Sequence, residues 1–529
     1  MALREMSEWW RSAVIYEIAP ISFQDTNGDG KGDLKGIESR IDYLEWLGID
    51  AVWLTPFFPS PMLDFGYDIA DYCAVNPIFG SLEDFDRLLE KLHSRNIKLI
   101  LDFVPNHTSD KHAWFADSRS SRASAKREWY VWADPSPNGG PPNNWLSRFG
   151  GSAWQWDENT GQYYYHAFLL EQPDLNWRNP EVRAAMADVL RFWMRRGVDG
   201  FRLDASAVLA EDALLRDDPV EPDADENTPP PQRLMRVFSD DRPDSLHYIE
   251  EIRGVIDEFE GRLVCGEVQG KTDRIGHFYG NARPRLHLPL NFALLDSPWD
   301  ALSLQGTIDA YLNAIPEGAW PDWVIGGHDK HRVASKLGQP QARVLAMLLL
   351  TLKGTAFFFA GDELGVEQGE IPREAVQDPF EKLVPGYDLN RDPERVPMRW
   401  YATGNGGFTT GQPWLPMGQA SGRNVFDLQN DERSILHLYR ELIRLRKDTP
   451  AFGSGDYAPL RSRNDVLIYE RSSGTERFRI ALNLTHEARC VEFADERAIW
   501  LSTYLDRKDS RTAKSFMLRP DEGVVVRMD

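Results

Sequence analysis

The sequence predicts an α/β fold: a (β/α)8 barrel, interrupted after its third strand by a loop-rich insert and followed by a C-terminal antiparallel β-sandwich. Three observations lead there. Eight short β-like apolar runs recur along the chain, each trailed by a helical pattern, as a parallel barrel requires. Roughly 95 residues separate the third run from the fourth, too many for a simple crossover. From about Gly453 helical periodicity gives way to short extended runs at 466–471, 478–484 and 523–527.

The eight runs occupy 14–18, 51–54, 98–103, 200–204, 263–267, 286–291, 323–326 and 356–360. Among their helical partners, 36–47 ends before Gly48, Ser81 is placed to cap 82–94, and Asn179-Pro180 opens a helix that reaches Arg196 before Gly197. The domain organisation follows: barrel over 1–106 and 177–452, insert over 107–176, C-terminal β domain over 453–529. A second irregular stretch, 211–232, packs eight acidic residues into 211–226 and continues into Pro229-Pro230-Pro231. Because it follows the fourth strand, it is expected to form a solvated flap above the barrel mouth.

Lys and Arg number 60 against 82 Asp and Glu, a net charge of −22, with no basic block anywhere. Such a surface repels phosphate backbones and anionic lipid, which argues against nucleic acid or membrane as partners. The first residues carry Glu5 and Glu8 where a signal peptide needs an unbroken apolar run, and the longest apolar stretch, 344–352, is half a membrane span. Cys73, Cys265 and Cys490 are odd in number, widely spaced and without a CxxC pair, which suits a reducing cytoplasm. Aromatic residues make up 12% and crowd polar loops such as Trp129-Tyr130-Val131-Trp132. Flat apolar faces beside polar groups suit sugar rings as well as ordinary packing.

Acidic residues close several of the apolar runs. Alternation puts Arg202 and Asp204 on one face of the fourth run, inside the barrel, with Phe201 and Leu203 outside. A guanidinium at that distance is expected to lower the Asp204 pKa, as a carboxylate nucleophile needs. Glu267 ends the fifth run behind apolar residues and glycine, a setting that should raise its pKa and suit a general acid. Cys265 shares its inward face as a small filler. Gly326-Gly327-His328-Asp329 follows the seventh run with a third acid and an imidazole. The three acids thus fall at C-terminal strand ends, the barrel face where active sites assemble. Asp102 to His107 closes the third run in the same way, and Phe65-Gly66-Tyr67-Asp68 lies in the loop after the second.

Asp25, Asn27, Asp29 and Asp33 place oxygen donors at positions one, three, five and nine of a loop with Gly30 at six, the front of an EF-hand pattern. Gly36 stands where the twelfth-position glutamate belongs, so a true EF-hand is excluded and a structural Ca2+ or Mg2+ loop is expected.

Together these residues resemble the α-amylase superfamily, glycoside hydrolase family 13, in its α-glucosidase and oligo-1,6-glucosidase branch, over nearly the whole chain. The motifs that carry the resemblance are 102–107, 200–204, the segment ending at Glu267, 327–329, and Gln172-Pro173-Asp174-Leu175-Asn176. The resemblance implies Asp204 as nucleophile, Glu267 as acid/base and Asp329 as the carboxylate that grips sugar hydroxyls. It implies Asp68, His107, Arg202 and His328 around the first sugar, Tyr67 stacked under the ring, and Phe149, Phe168 and Gln172 in the pocket wall. Arg395 would pair with Asp68 and close the pocket floor, and Lys31 would offer its backbone carbonyl to the metal. The activity so implied is that of a retaining, exo-acting α-glucosidase that releases glucose from short α-glucosides, with transglucosylation and no organic cofactor. In such an enzyme the two reacting carboxyls stand about 5 to 5.5 Å apart.

Departures bear on specificity. Gly327 replaces the usual Asn before His-Asp, and Ala205 stands where 1,6-specific relatives carry Val, which tilts the expectation toward α-1,4 or mixed linkage. The arginine-rich motif of sucrose isomerases is not seen after Asn291. Two rival readings remain: an α-glucosyltransferase in which a sugar or phenolic hydroxyl replaces water, and a catalytically silent barrel used for binding. The latter is disfavoured because all three acids are present.

Overall fold

The computed structural model describes residues 8–240, 242–268, 274–280, 282–418, 423–462, 465–493, 495–508 and 510–528. Glu5, used above to argue against a signal peptide, lies outside them. Eight parallel strands form the barrel: β1 (Val14–Ile18), β2 (Ala51–Leu54), β3 (Lys98–Phe103), β4 (Gly200–Leu203), β5 (Leu263–Glu267), β6 (Leu288–Leu290), β7 (Asp322–Val324) and β8 (Thr355–Phe359). Their order, β7-β8-β1-β2-β3-β4-β5-β6, is that of an up-and-around barrel. The seam between β6 and β7 is joined by the Val324 amide on the Asn291 carbonyl at 3.3 Å and the Asn291 amide on Asp322 at 2.9 Å.

Period-two alternation divides each strand between two cores. Ile15, Ala51, Trp53, Ile100, Leu263, Cys265, Leu290 and Phe357 pack together inside the barrel. Their neighbours Val14, Tyr16, Val52, Leu99, Leu101, Phe201, Val264 and Phe358 pack outward with the helices. Cys265 is the buried filler its position predicts.

The helices form where caps and apolar stripes agree. Ser81 accepts from the Asp84 amide while the Asp84 carboxyl accepts from the Ser81 amide, and Phe85, Leu88, Leu89 and Leu92 bury one face of Leu82–Ser94. A cap of this kind contributes about 1 kcal/mol. Asn179 caps Pro180–Arg196, and Gly197 ends it at φ 107°, a left-handed conformation that favours glycine. The single helix expected over 36–47 is two, Leu34–Ser39 and Ile41–Leu47. Asp33 caps the first early, and Arg40 breaks the run because its guanidinium is drawn to Gln24 at 2.9 Å and over the Trp400 ring at 4.1 Å.

After β3 the insert builds a three-stranded antiparallel sheet in the order Trp132–Ala133, Gln162–Tyr165, Trp154–Asp157. At the C-terminal end a five-stranded and a two-stranded antiparallel sheet enclose Val466, Ala481, Val491, Phe493, Leu518 and Val524. The acidic stretch after β4 is largely solvated and reaches the barrel mouth through Pro231 and Gln232, as expected, and it is also tied to the insert. Trp145 Nε1 donates to the Arg216 carbonyl at 2.8 Å and Asn144 Nδ2 to the Asp218 carbonyl at 2.8 Å, so it docks on the insert. Glu211 is buried with Arg178 at 2.8 Å. Among the described residues no helix is long and apolar enough to cross a membrane.

Candidate active site

A cavity of about 1130 Å3 opens at the C-terminal ends of the barrel strands. It lies just above the range of about 300–1,000 Å3 common for small-molecule sites. Asp204, Glu267 and Asp329 all line it, joined by Asp64, Tyr67, His107, Phe149, Phe168 and Arg391. The barrel explains the convergence. Arg202 faces inward beside Asp102 in the β3–β4 register and beside Cys265 in the β4–β5 register, so the next inward positions, Asp204 and Glu267, meet at the rim.

One guanidinium organises the reacting pair. Arg202 Nη1 donates to Asp204 at 2.6 Å and to Asp102 at 2.9 Å, while Nη2 donates to Glu267 at 2.9 Å. The expected lowering of Asp204 is not what results. Burial pushes it up, Arg202 pulls against the rise, and the charges of Glu267 and Asp102 add to it, leaving Asp204 at about 8. One cation among three carboxylates is too little to keep all of them ionised, so the site retains a proton near neutrality. Nor is the setting of Glu267 simply apolar, since its carboxyl rests on the same arginine.

Asp329 differs. Burial opposes its charged form, yet the cations of His328, Arg391 and Arg395 hold it well below the carboxylate range. Arg391 reaches it at 3.3 Å and Arg395 in a shorter contact. His107 is neutral, pushed down to about 3 by burial. Asp204 and Asp329 therefore stand in unlike electrostatic settings within one cavity, with Asp204 raised where the sequence reading expected it lowered.

Of the predicted subsite residues, Tyr67, His107, Phe149 and Phe168 reach the cavity surface. Gln172, Arg202, His328 and Arg395 are buried behind it. Gln172 holds His107 at 3.1 Å and Asp64 at 3.0 Å, and Tyr67 bridges His328 at 2.8 Å and Asp102 at 2.9 Å.

Two assignments need correction. Asp68 is fully buried away from the cavity, where it accepts from Ser60 at 2.7 Å and the Leu63 amide at 3.0 Å, and burial pushes it up to about 6. Asp64 takes the place expected of it. Arg395 pairs with Asp329 and the His328 carbonyl, and lies over the Phe65 ring at 4.0 Å. The arginine that closes the floor is Arg391, bound to Asp64 at 2.9 Å and Asp378 at 2.8 Å as well as to Asp329. Both missed residues lie within four positions of those named; an acid three before Tyr67 and the first arginine of Arg391-Asp392-Pro393-Glu394-Arg395 were the available signals.

In the Asp25–Asp33 loop, Asp25 accepts from the amides of Asn27 at 2.8 Å, Gly28 at 2.9 Å and Gly30 at 2.9 Å. Burial opposes ionisation of Asp25, and the Thr409 hydroxyl and these amides lower its pKa nonetheless. Among the described residues no group of three acidic, histidine or cysteine side chains converges as a metal cluster. The loop's donors, Asp25, Asn27, Asp29, Asp33 and the Lys31 carbonyl, are all oxygens, the chemistry that hard cations take.

Comparison with known proteins agrees with this geometry. Residues 17–455 match the family model described as alpha amylase, catalytic domain. A protein of Rhizobium meliloti (strain 1021) named probable alpha-glucosidase is 42% identical over 510 residues, covering 93% of this chain and 92% of its own. An oligo-1,6-glucosidase of Heyndrickxia coagulans is 36% identical, covering 99% of this chain and all of its own length. The crystal structure of the alpha-glucosyl transfer enzyme XgtA superposes with a TM-score of 0.92 at 39% identity, covering 99% of this chain and 100% of that one. A family model spanning most of the chain, full-length relatives and three acids over one barrel mouth lead to one conclusion: the chain belongs to the α-amylase family of glycoside hydrolases.

Proposed function

We propose that this protein is a retaining α-glucosidase that removes single glucose units from the non-reducing end of short α-glucosides, of α-1,4 or mixed linkage, with transglucosylation beside hydrolysis. The observation that carries the proposal is the placement of Asp204 and Glu267 on the two amino groups of Arg202, with Asp329 on the same cavity. Double displacement is the family's chemistry. In it Asp204, as the carboxylate, attacks the anomeric carbon while Glu267 gives a proton to the departing oxygen. Glu267 then takes a proton from water, which opens the glycosyl ester. Asp329, held ionised by three cations, grips sugar hydroxyls and offsets the positive charge that develops on the ring. The Asp64–Arg391 bridge floors the cavity, which supports removal of a terminal unit rather than cleavage within a chain. Ala205, beside Asp204, sits at φ 47°, a left-handed conformation that a β-branched residue rarely adopts.

The test is a panel of maltose, isomaltose, sucrose, trehalose and maltotriose with products identified. Glucose from maltose and maltotriose is expected, with new oligosaccharides at high maltose. No glucose from any of the five would sink the proposal. Transfer products alone, without hydrolysis, would favour the glucosyltransferase reading that the XgtA likeness supports.

We also infer that the Asp25–Asp33 loop holds a structural Ca2+ or Mg2+ and that the enzyme works in the cytoplasm. Asp25, Asn27, Asp29, Asp33 and the Lys31 carbonyl would hold the ion, which would offset two of the three carboxylate charges carried within nine residues. A chelator is expected to lower the unfolding temperature by a few degrees, and added Ca2+ to restore it, since an ion at a hundred times its Kd stabilises by about 2.7 kcal/mol. An unfolding curve indifferent to chelator and Ca2+ would remove the ion from the account.

A further inference from the structure

A carboxylate that does not line the cavity stands directly behind it. Glu17 is the inward residue at the C-terminal end of β1 and is only 1% exposed. One of its oxygens, Oε1, accepts a short hydrogen bond from His328 Nδ1, and the other, Oε2, has no hydrogen-bond partner among the described residues. A buried carboxylate so poorly supplied with donors is costly unless it faces a full positive charge.

The protons around His328 can be counted. The one hydroxyl hydrogen of Tyr67 goes to Asp102 Oδ2 at 2.9 Å. Asp102 also accepts from Arg202 at 2.9 Å and Trp53 at 3.3 Å, and three donors, one of them a guanidinium, favour its ionised form against the pull of burial. The Tyr67 oxygen is therefore an acceptor toward His328 Nε2, 2.8 Å away, so Nε2 carries a hydrogen. Nδ1 faces Glu17 and carries the other. An imidazole with both nitrogens protonated is a cation.

We propose that Glu17 is a positioning residue that fixes His328 as an imidazolium, and that this cation in turn anchors Tyr67 and Asp329 at the sugar-binding end of the cavity. The proposal rests on the reading of that cavity as a glucoside site.

The charged neighbours of His328 set the sign of the test. Asp329 Oδ2 lies 3.5 Å from Nε2, Arg395 donates to the His328 carbonyl at 2.8 Å, and Trp53 meets the ring edge-on at 6.2 Å. Behind Glu17 stands Asp362, itself bound by Arg332 at 2.9 Å. Burial disfavours the charged ring, the charges of Asp329 and Glu17 overcome it, and Arg395 opposes them, so the His328 pKa stands above its ordinary value. The imidazolium is present below that pKa and lost as pH rises through it. Without the Glu17 charge the loss comes at lower pH. Gly327 adds a second handle: a Cβ there would lie 3.5 Å from the orphan Oε2, an ordinary contact, so Gly327→Asn brings an amide donor within reach of it.

The experiment is a titration of 15N-histidine-labelled enzyme followed by NMR, with the His328 signal assigned by its loss in His328→Asn, and the pH dependence of kcat and KM on a chromogenic α-glucoside. In the wild type His328 is expected to be doubly protonated at neutral pH. Glu17→Gln is expected to lower its titration midpoint by about one unit or more and to carry the alkaline limb of kcat/KM with it. On the acid side of that limb activity is expected to stay within about threefold, and Gly327→Asn is expected to leave the limb in place. A neutral His328 in the wild type at neutral pH would overturn the proposal, whether or not Glu17→Gln folds. So would a variant that loses activity equally at every pH while its His328 midpoint is unmoved, the signature of a merely structural role. A wild type that cleaves no glucoside would sink the functional reading and leave the ionisation measurement intact.

Discussion

Replacing Asp204 by alanine is expected to abolish turnover, with kcat/KM falling by a factor on the order of 10^5, the loss typical of removing a covalent nucleophile. Its Oδ1 and the Glu267 carboxyl sit on the two amino nitrogens of one guanidinium, which holds the proposed nucleophile and acid/base side by side. Its nearest rivals are otherwise engaged: Asp102 lies behind the wall, Asp329 is held by Arg391 and Arg395, and Asp64 by Arg391. Azide should enter the space left by the missing carboxyl and restore cleavage of an activated substrate, giving a glucosyl azide of inverted configuration. The product's configuration by NMR checks the assignment. Wild-type activity in Asp204→Ala, or an azide product of retained configuration, would end the case for this nucleophile.

How far the site can be read from sequence depends on the range of the forces involved. The barrel strands are legible because alternation is local: 14–18, 51–54, 98–103 and 263–267 stand in the structure as the apolar pattern has them. Arg202, Asp204 and Glu267 are legible for the same reason, because a residue's face is set within its own strand and register carries it to the rim. What fails is what depends on distant partners. The break at Arg40 answers to Gln24 and Trp400. The direction of the Asp204 shift fails for a different reason. Its neighbour Arg202 is visible in the sequence, but the two further carboxylates that share this guanidinium come from β3 and β5. Electrostatics sums over all neighbours, and a motif shows only one.

The floor of the cavity provides the sharpest separation between motif and structure. Arg391→Ala is expected to cut kcat/KM by about 10^3, equivalent to about 4 kcal/mol, because it strips one cation from three acids at once. Asp64 and Asp329 line the cavity and Asp378 is buried beside them; Asp329 keeps Arg395 and His328, but loss of the cation that Asp64 and Asp378 share also costs about 3–5 kcal/mol of folding stability. Arg391→Lys should recover little of this, since an ammonium cannot span Asp64, Asp378 and Asp329 with a planar fork. Asp64→Asn is expected to raise KM and to weaken the bridge from the other side. Asp68→Asn supplies the contrast. Its carboxyl binds Ser60 and the Leu63 amide outside the cavity, so KM should stay within about twofold while stability falls by about 1–2 kcal/mol. Steady-state kinetics beside thermal unfolding for these variants decides the matter. Should Asp68→Asn raise KM as steeply as Asp64→Asn, the floor would belong to the residue the motif favoured, and the ion-pair geometry described for Arg391 would not be that of the working enzyme.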